Sequence, residues 1–199
     1  VRNAFKIKDL RKKLFYTFFA LIVVRIGSQL PVPGVKYEAI REMFNSQKSL
    51  DFFNQLTGGS FEQMSIFALN ITPYITASII IQLLTIAIPK LEEMQKEGEE
   101  GRKKIAAITR YVTIGLSVLE SAAMAIGFGN SGYLTDDKIT FTSVSVIIVS
   151  LTAGSAFLMW LGEQITERGI GNGMSLIIFV SIVSRVPAAI FSSVNLQAD

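Results

Sequence analysis

Few side chains in this 199-residue chain could perform chemistry. It contains no histidine and no cysteine, which excludes Ser-His and Cys-His nucleophiles, imidazole proton shuttles, disulfides and thiolate zinc sites within it. Two ionisable residues, Arg25 and Glu120, lie inside apolar runs, where a charge is costly and needs a partner, water or a route to the interface. We therefore expect neither enzymatic activity nor a cofactor.

The two charges inside apolar runs leave two interpretations open. A helix rises about 1.5 Å per residue, which places Arg25 about 16 Å above residue 14 and Glu120 about 22 Å above residue 105. At such depths the two side chains can pair or face one aqueous cavity. Alternatively, each reaches water or backbone separately.

A glycine-rich stretch at residues 162–173 superficially resembles a phosphate-binding loop. It holds both charge signs and four glycines. A phosphate loop of that kind follows a strand in an α/β unit, whereas apolar runs flank this stretch on both sides. The pattern instead favours a tight cytoplasmic turn in which a glycine ends a helix.

Apolar runs near membrane-spanning length dominate the rest of the chain. Half of the residues are hydrophobic, 18% are charged and the mean hydropathy is +0.44, and a helix needs about 20 apolar residues to cross a bilayer. The pattern predicts an all-α, polytopic membrane helical bundle. Its five spans are predicted at about residues 14–30, 71–88, 105–128, 139–162 and 173–190.

The apolar run before the second span is interrupted by Asn70 and Pro73. Ser60 and Gln63 match a capping box, and a helix over residues 61–69 would be about 13 Å long, which is too short to cross a bilayer. Residues 71–88 would reach about 27 Å and nearly span it. The run is therefore either a re-entrant helix followed by a span, or one kinked helix. A true break would indicate a cavity, because non-helical backbone at membrane depth must be buried in protein or line water.

Basic residues set the predicted orientation, since short loops rich in Lys and Arg stay cytoplasmic. Segment 1–13 holds six basic residues and loop 90–104 holds five, whereas the loop between the third and fourth spans holds only Lys138. We predict a cytoplasmic N-terminal segment 1–13, a membrane unit 14–190 and the start of an external loop at 191–199. These charges fit the membrane rule better than a nucleic-acid interface.

Several motifs in a fixed order resemble one family, SecY, the central subunit of the protein translocation channel. They are Arg25-Ile26-Gly27-Ser28 running into Pro31-Val32-Pro33-Gly34, and then residues 65–69 with 71–84, 97–99 with 101–104, and 157–166 with 168–173. The resemblance covers nearly the whole chain and is bacterial in type. It implies the N-terminal, five-helix half of a two-half clamshell around an hourglass pore.

The resemblance also implies site residues. The apolar pore ring corresponds to Ile71, Ile75, Met174 and Ile178, and a lateral gate for signal sequences corresponds to Ile79, Ile80 and Leu83. Cytoplasmic docking corresponds to Arg102, Lys103, Lys104, Glu167 and Arg168. The plug, expected to be a re-entrant helix, corresponds to Thr57, Gly58, Gly59, Ser60, Phe61, Glu62, Gln63, Met64, Ser65, Ile66, Phe67, Ala68 and Leu69.

The implied function is to conduct unfolded secretory polypeptides across the bacterial plasma membrane and to release membrane segments into the lipid bilayer. The implied partners are SecE-like and SecG-like small membrane subunits, a SecA motor ATPase or a ribosome, signal sequences and translocating polypeptides. Ribosomal RNA is the one nucleic acid it could contact directly.

The chain departs from the family pattern at three positions. Met174 replaces a commoner isoleucine, Asn70 stands where glycine is frequent, and Glu120 stands where an uncharged polar residue can occur. A secondary transporter is the competing class, because transporters also contain broken helices and intramembrane charges. It is less favoured, since Ile, Leu, Phe and Met flank the break instead of converging polar groups.

Overall fold

The computed structural model describes residues 8–46, 57–134 and 140–184. Within these ranges the chain is helical, with two isolated bridges and no named strand, so the predicted all-α class is confirmed. Seven helices are described there: α1 Lys8–Gly27, α2 Tyr37–Ser46, α3 Thr72–Ala87, α4 Pro89–Lys96, α5 Glu99–Asn130, α6 Phe141–Arg168 and α7 Gly173–Val183.

Two of these helices, α5 and α6, are long and apolar enough to cross a membrane. A third crossing exists if α3 and α4 are taken as one span, bent by 101° between them. The apolar helix α7 is described as far as Val183. The helices α1, α3, α5, α6 and α7 overlap the five predicted spans. Residues 1–7 and 185–199, which include the far end of the fifth predicted span and the predicted external loop, lie outside the described ranges.

The second span is a separate helix, not the continuation of one kinked helix. It begins at Thr72 with Pro73 in its first turn, where the missing N–H of proline costs little. It ends at Ala87, and its C-cap Ile88 has an extended backbone before Pro89 at the start of α4, because the residue before a proline is disfavoured in helical geometry.

The predicted helix at residues 61–69 is wrong. Residues 57–71, which we call the re-entrant segment, form successive turns. Met64 and Asn70 adopt left-handed backbone angles, with φ of 44° and 51°, and such residues interrupt a right-handed helix. The Phe61 N–H lies 3.4 Å from the hydroxyl of Thr57. Because residues 60–63 lie in turns, the predicted Ser60–Gln63 capping box does not start a helix.

The described helices pack around two apolar clusters. Helix α5 contacts α3, α4 and α6, while α1 contacts α6 and α7. The first, which we call the outer cluster, joins the loop after α1 and the re-entrant segment to the C-terminal end of α5 and the N-terminal half of α6. It includes Val32, Met64, Phe128 and Leu151. The inner cluster joins α1, α6 and α7. Ile66 of the re-entrant segment packs against both clusters, so this segment lies at the centre of the fold.

Candidate functional site

The C-terminal part of the re-entrant segment is joined by backbone hydrogen bonds to the loop that follows α1. The Val32 N–H donates to the Met64 carbonyl at 2.8 Å, and the Ile66 N–H donates to the Leu30 carbonyl at 2.9 Å. An isolated antiparallel bridge pairs Pro31 with Ser65. These bonds satisfy backbone groups that a helix would have satisfied internally, which is the condition for non-helical backbone at membrane depth.

The same part of the segment fits against two glycines. The Phe67 ring lies over Gly27 of α1, where a β-carbon would overlap it. It also stacks on Phe157 of α6, with ring centroids 5.9 Å apart and an interplanar angle of 7°. On α6, a β-carbon at Gly154 would overlap the backbone carbonyl of Ile66. Glycine at 27 and 154 therefore allows the segment to sit directly on both helices.

Two arginines contact the N-terminal part of the re-entrant segment. Arg25 Nη1 lies 3.5 Å from the Gly58 carbonyl oxygen, and Arg41 Nε of α2 lies 3.3 Å from Glu62 Oε1. A β-carbon at Gly58 would also meet the Ser181 carbonyl oxygen of α7, at 2.7 Å. The segment thus touches α1, α2, α6 and α7.

The structure brings three of the four expected pore-ring residues together. Ile71 and Met174 are buried in the inner cluster, with 1% and 9% of their surfaces exposed, and Ile178 packs against that cluster. The Met174 sulfur occupies the space above Gly162 of α6. Ile75 lies one turn beyond Ile71 and is 40% exposed, so the fourth residue borders open space.

The expected gate residues lie on the unpacked face of α3. Its buried residues Pro73, Ala77, Ile81 and Thr85 recur every four positions, which is one face of a helix. Ile79, Ile80 and Leu83 are exposed by 52%, 37% and 61%. No described residue covers that face to the extent of burying them.

The expected docking residues are exposed at the ends of two helices. Arg102, Lys103 and Lys104 lie in the first turns of α5, where Lys104 pairs with Glu97 at 3.2 Å. Glu167 and Arg168 end α6. The sequence did not indicate the neighbouring ion pair between Arg110 Nε of α5 and Glu163 Oε1 of α6, at 2.7 Å. It joins the two helices on which the expected docking residues lie.

The predicted tight turn occupies only residues 169–172 of the glycine-rich stretch, with Gly169 as the C-cap of α6, because residues 162–168 continue that helix. The Ile170 N–H donates to Thr17 Oγ1 of α1 at 3.1 Å, and the Asn172 side chain caps α7 by accepting from the Ser175 N–H. The Gly173 N–H donates to Thr166 Oγ1 at 2.9 Å. The role of Thr17 was missed, because a lone threonine within an apolar run gives no signal of a partner more than 150 positions away.

Arg25 and Glu120 are not brought together. Arg25 reaches a backbone carbonyl, as the second interpretation of these charges anticipated. It lies on α1, which packs on α6 and α7, whereas Glu120 is half-buried on α5, which packs on α3, α4 and α6. Among the described residues, no group of three or more acidic side chains is placed to hold a metal ion.

Comparison with known families decides the classification. The family model for SecY matches residues 65–198. The chain belongs to the SecY family. It is 44% identical to the protein translocase subunit SecY of Streptomyces coelicolor over 203 residues, which cover 96% of this chain and 46% of that protein. It is 46% identical to the SecY subunit of Pseudomonas aeruginosa over 189 residues, covering 94% and 42%.

Solved channels share the fold. Sec61 in the canine ribosome-channel complex from the endoplasmic reticulum matches with a TM-score of 0.60 at 22% identity, over 88% of this chain and 37% of that one. A SecY channel, studied for how its plug domain stabilises the closed state, matches with a TM-score of 0.59 at 23% identity, over 92% and 36%. The chain described here, as a member of this family, is a membrane protein. It spans about half the length of the curated relatives it matches.

Proposed function

We propose that this chain supplies the N-terminal half of a protein-conducting channel, which passes unfolded secretory polypeptides across a bacterial plasma membrane and releases membrane segments into lipid. One observation carries the proposal: residues 57–69 are non-helical and pack, through Ile66 and Phe67, into the apolar cluster that contains Ile71 and Met174. A channel that is sealed at rest and opens for a translocating polypeptide needs both an apolar constriction and a separate plug.

The proposed pore ring works by excluding water. Apolar side chains around a narrow constriction block ions by dewetting, and they form no directional bonds that would hold a passing polypeptide. Ile71, Met174 and Ile178 already meet in this half. We assign Ile75, which borders open space, to the surface that faces the second half of the channel. Met174 can follow a passing chain because its thioether is flexible.

The proposed plug is residues 57–69 of the re-entrant segment, and its two parts have different attachments. Residues 64–67 are joined to the loop after α1 and to α6, so they stay with this half. The part that leaves the pore is N-terminal to them. We therefore expect only the residues before 64, and not residues 57–69 as one unit, to leave the pore.

The exposed faces are assigned to partners. The uncovered face of α3 with Ile79, Ile80 and Leu83 would receive a signal sequence at the lateral gate. The exposed basic start of α5, with Glu167 and Arg168 of α6, would face the cytoplasm and contact a SecA motor or a ribosome. SecE-like and SecG-like subunits would complete the membrane assembly. This orientation places the N-terminus in the cytoplasm.

An ion-leak measurement tests the seal. In the full-length protein with its partner subunits in planar bilayers, we expect Ile75→Asn to raise the resting conductance roughly tenfold, because a polar group in the ring lowers the cost of hydrating the constriction by about 1.4 kcal/mol. Ile86→Asn is the matched control on the same helix, at a site that is 81% exposed, and it should leave the conductance unchanged. Equal conductance in the two variants would contradict the proposed ring.

A further inference from the structure

A cation inside the membrane unit contacts the proposed plug, and the proposed function does not explain it. Arg25 lies two residues before the end of α1, and its Nη1 lies 3.5 Å from the Gly58 carbonyl oxygen. The position that a β-carbon would take at Gly58 is 3.0 Å from the same nitrogen and 2.7 Å from the Ser181 carbonyl oxygen of α7. Gly58 is therefore wedged between the Arg25 guanidinium and the backbone of α7.

The apolar surroundings of Arg25 strengthen this contact. It lines an open groove of about 580 Å³ between α1 and α7, whose other lining residues, apart from Gln29, are the apolar Phe18, Leu21, Ile22, Ile26 and Val180. A guanidinium in such surroundings is strongly attracted to any dipole within reach. A carbonyl of the re-entrant segment supplies one, so moving the segment away would remove a favourable contact of a costly charge.

The backbone at the contact requires glycine. Gly58 and Gly59 both adopt positive φ, at 63° and 88°, which glycine adopts without the strain that other residues incur. Residues 64–67 beyond them are fixed by backbone hydrogen bonds and ring stacking. Residues 57–63, which precede this fixed part, are therefore the part of the segment that the contact with Arg25 can hold.

We propose that Arg25 is a positioning residue that holds the re-entrant segment in its closed place through the Gly58 carbonyl. The inference rests on the proposed function and adds to it the contact at which the plug is released. Moving Gly58 away from Arg25 frees the plug while the fold of this half stays intact. Gly58 is required twice, because a side chain would both strain its backbone and push Arg25 and α7 apart.

The test compares two changes that break the contact from opposite sides. Arg25→Met removes the charge and the donor, and Gly58→Ala inserts a methyl group between the partners. In the full-length protein with its partner subunits, each should raise the resting conductance about tenfold. The double variant should leak no more than either single variant, because both remove one contact. Arg25→Lys, which keeps a donor and a charge, should restore most of the seal.

A second readout separates positioning from mere stability. Because Arg25→Met also removes a charge from apolar surroundings, it should leave the thermal unfolding midpoint unchanged or higher while the leak rises. Arg11→Gln, an exposed arginine of the same helix, is the matched control and should change neither. A leak that only accompanies a lowered midpoint, or additive effects in the double variant, would overturn the inference.

Failure of this inference is distinguishable from failure of the proposed function. If Ile75→Asn leaks while Arg25→Met and Gly58→Ala stay sealed, the channel stands and the positioning role of Arg25 is wrong. If none of the three leaks, the proposed channel is wrong as well.

Discussion

Replacing Gly154 by leucine should destabilise the membrane unit more than any other single change on α6. A β-carbon at position 154 would overlap the backbone carbonyl of Ile66. A backbone atom, unlike a flexible side chain, cannot move away by changing rotamer. We expect a loss of about 3 kcal/mol, at the upper end of the usual cost of overpacking. The thermal unfolding midpoint of the full-length protein in detergent, followed by size-exclusion recovery after heating, measures it.

Gly115→Leu on α5 is the matched control. Gly115 is also a helical glycine, but no atom lies within 4 Å of the place its β-carbon would take. Since glycine weakens a helix by about 0.5–1 kcal/mol relative to good helix formers, this variant should be as stable as the parent or more so. If the two leucine variants lost equal stability, the close seat of the re-entrant segment on α6 would be wrong.

Phe67→Ala should produce the second large effect. The ring is only 7% exposed, fills the space over Gly27 and stacks on Phe157. Truncating a buried phenylalanine typically costs about 3–5 kcal/mol, because the cavity left behind closes incompletely. Within a membrane unit, packing of this kind is a main source of stability. The same thermal measurement applies, and the resting conductance should rise with it, since the segment loses its fixed part.

Phe19→Ala provides the comparison for a phenylalanine outside the packed interior. Its side chain is 66% exposed on α1, so its removal should cost well under half of the loss seen at position 67. A result in which both substitutions cost the same would show that Phe67 does not anchor the segment.

Part of the helical layout followed from the sequence: α1, α3, α5, α6 and α7 overlap the five predicted spans, whereas α2 was not predicted. Apolar length gave five spans, and Pro73 and Asn70 located the break before the second. Each of these signals is local: a helix is favoured by its own run of residues, and a proline restricts its own backbone and that of its neighbour. The bend at Ile88 has the same origin, since Pro89 follows it.

The conformation of the re-entrant segment did not follow from the sequence, because distant residues impose it. Its residues 61–69 include good helix formers such as Glu62, Gln63 and Leu69, yet the Leu30 carbonyl and the Val32 N–H bond to it from more than 30 positions away. The same holds for Arg25, whose carbonyl partner at Gly58 belongs to a different element. Local propensity is a weak guide where tertiary hydrogen bonds compete with it.

The length of the chain relative to its relatives bears on how its exposed apolar surface is interpreted. Leu83 on α3 and Phe18 on α1 are both more than 60% exposed, and the chain spans about half of its relatives. A large apolar surface on an isolated unit indicates a membrane or protein interface. The proposed second half, small subunits and lipid are the groups that would cover these faces.

Crosslinking a polypeptide in transit tests the proposed channel most directly. The chain has no cysteine, so a single cysteine introduced into an otherwise cysteine-free, full-length protein can carry a photoreactive probe at Ile75, at Ile178 or, as a control, at Val149, which is 66% exposed on α6. With a signal-bearing precursor arrested midway, we predict crosslinks from positions 75 and 178 and none from 149. Equal crosslinking from all three positions, or no crosslink from 75 and 178, would contradict a polypeptide pore lined by these residues.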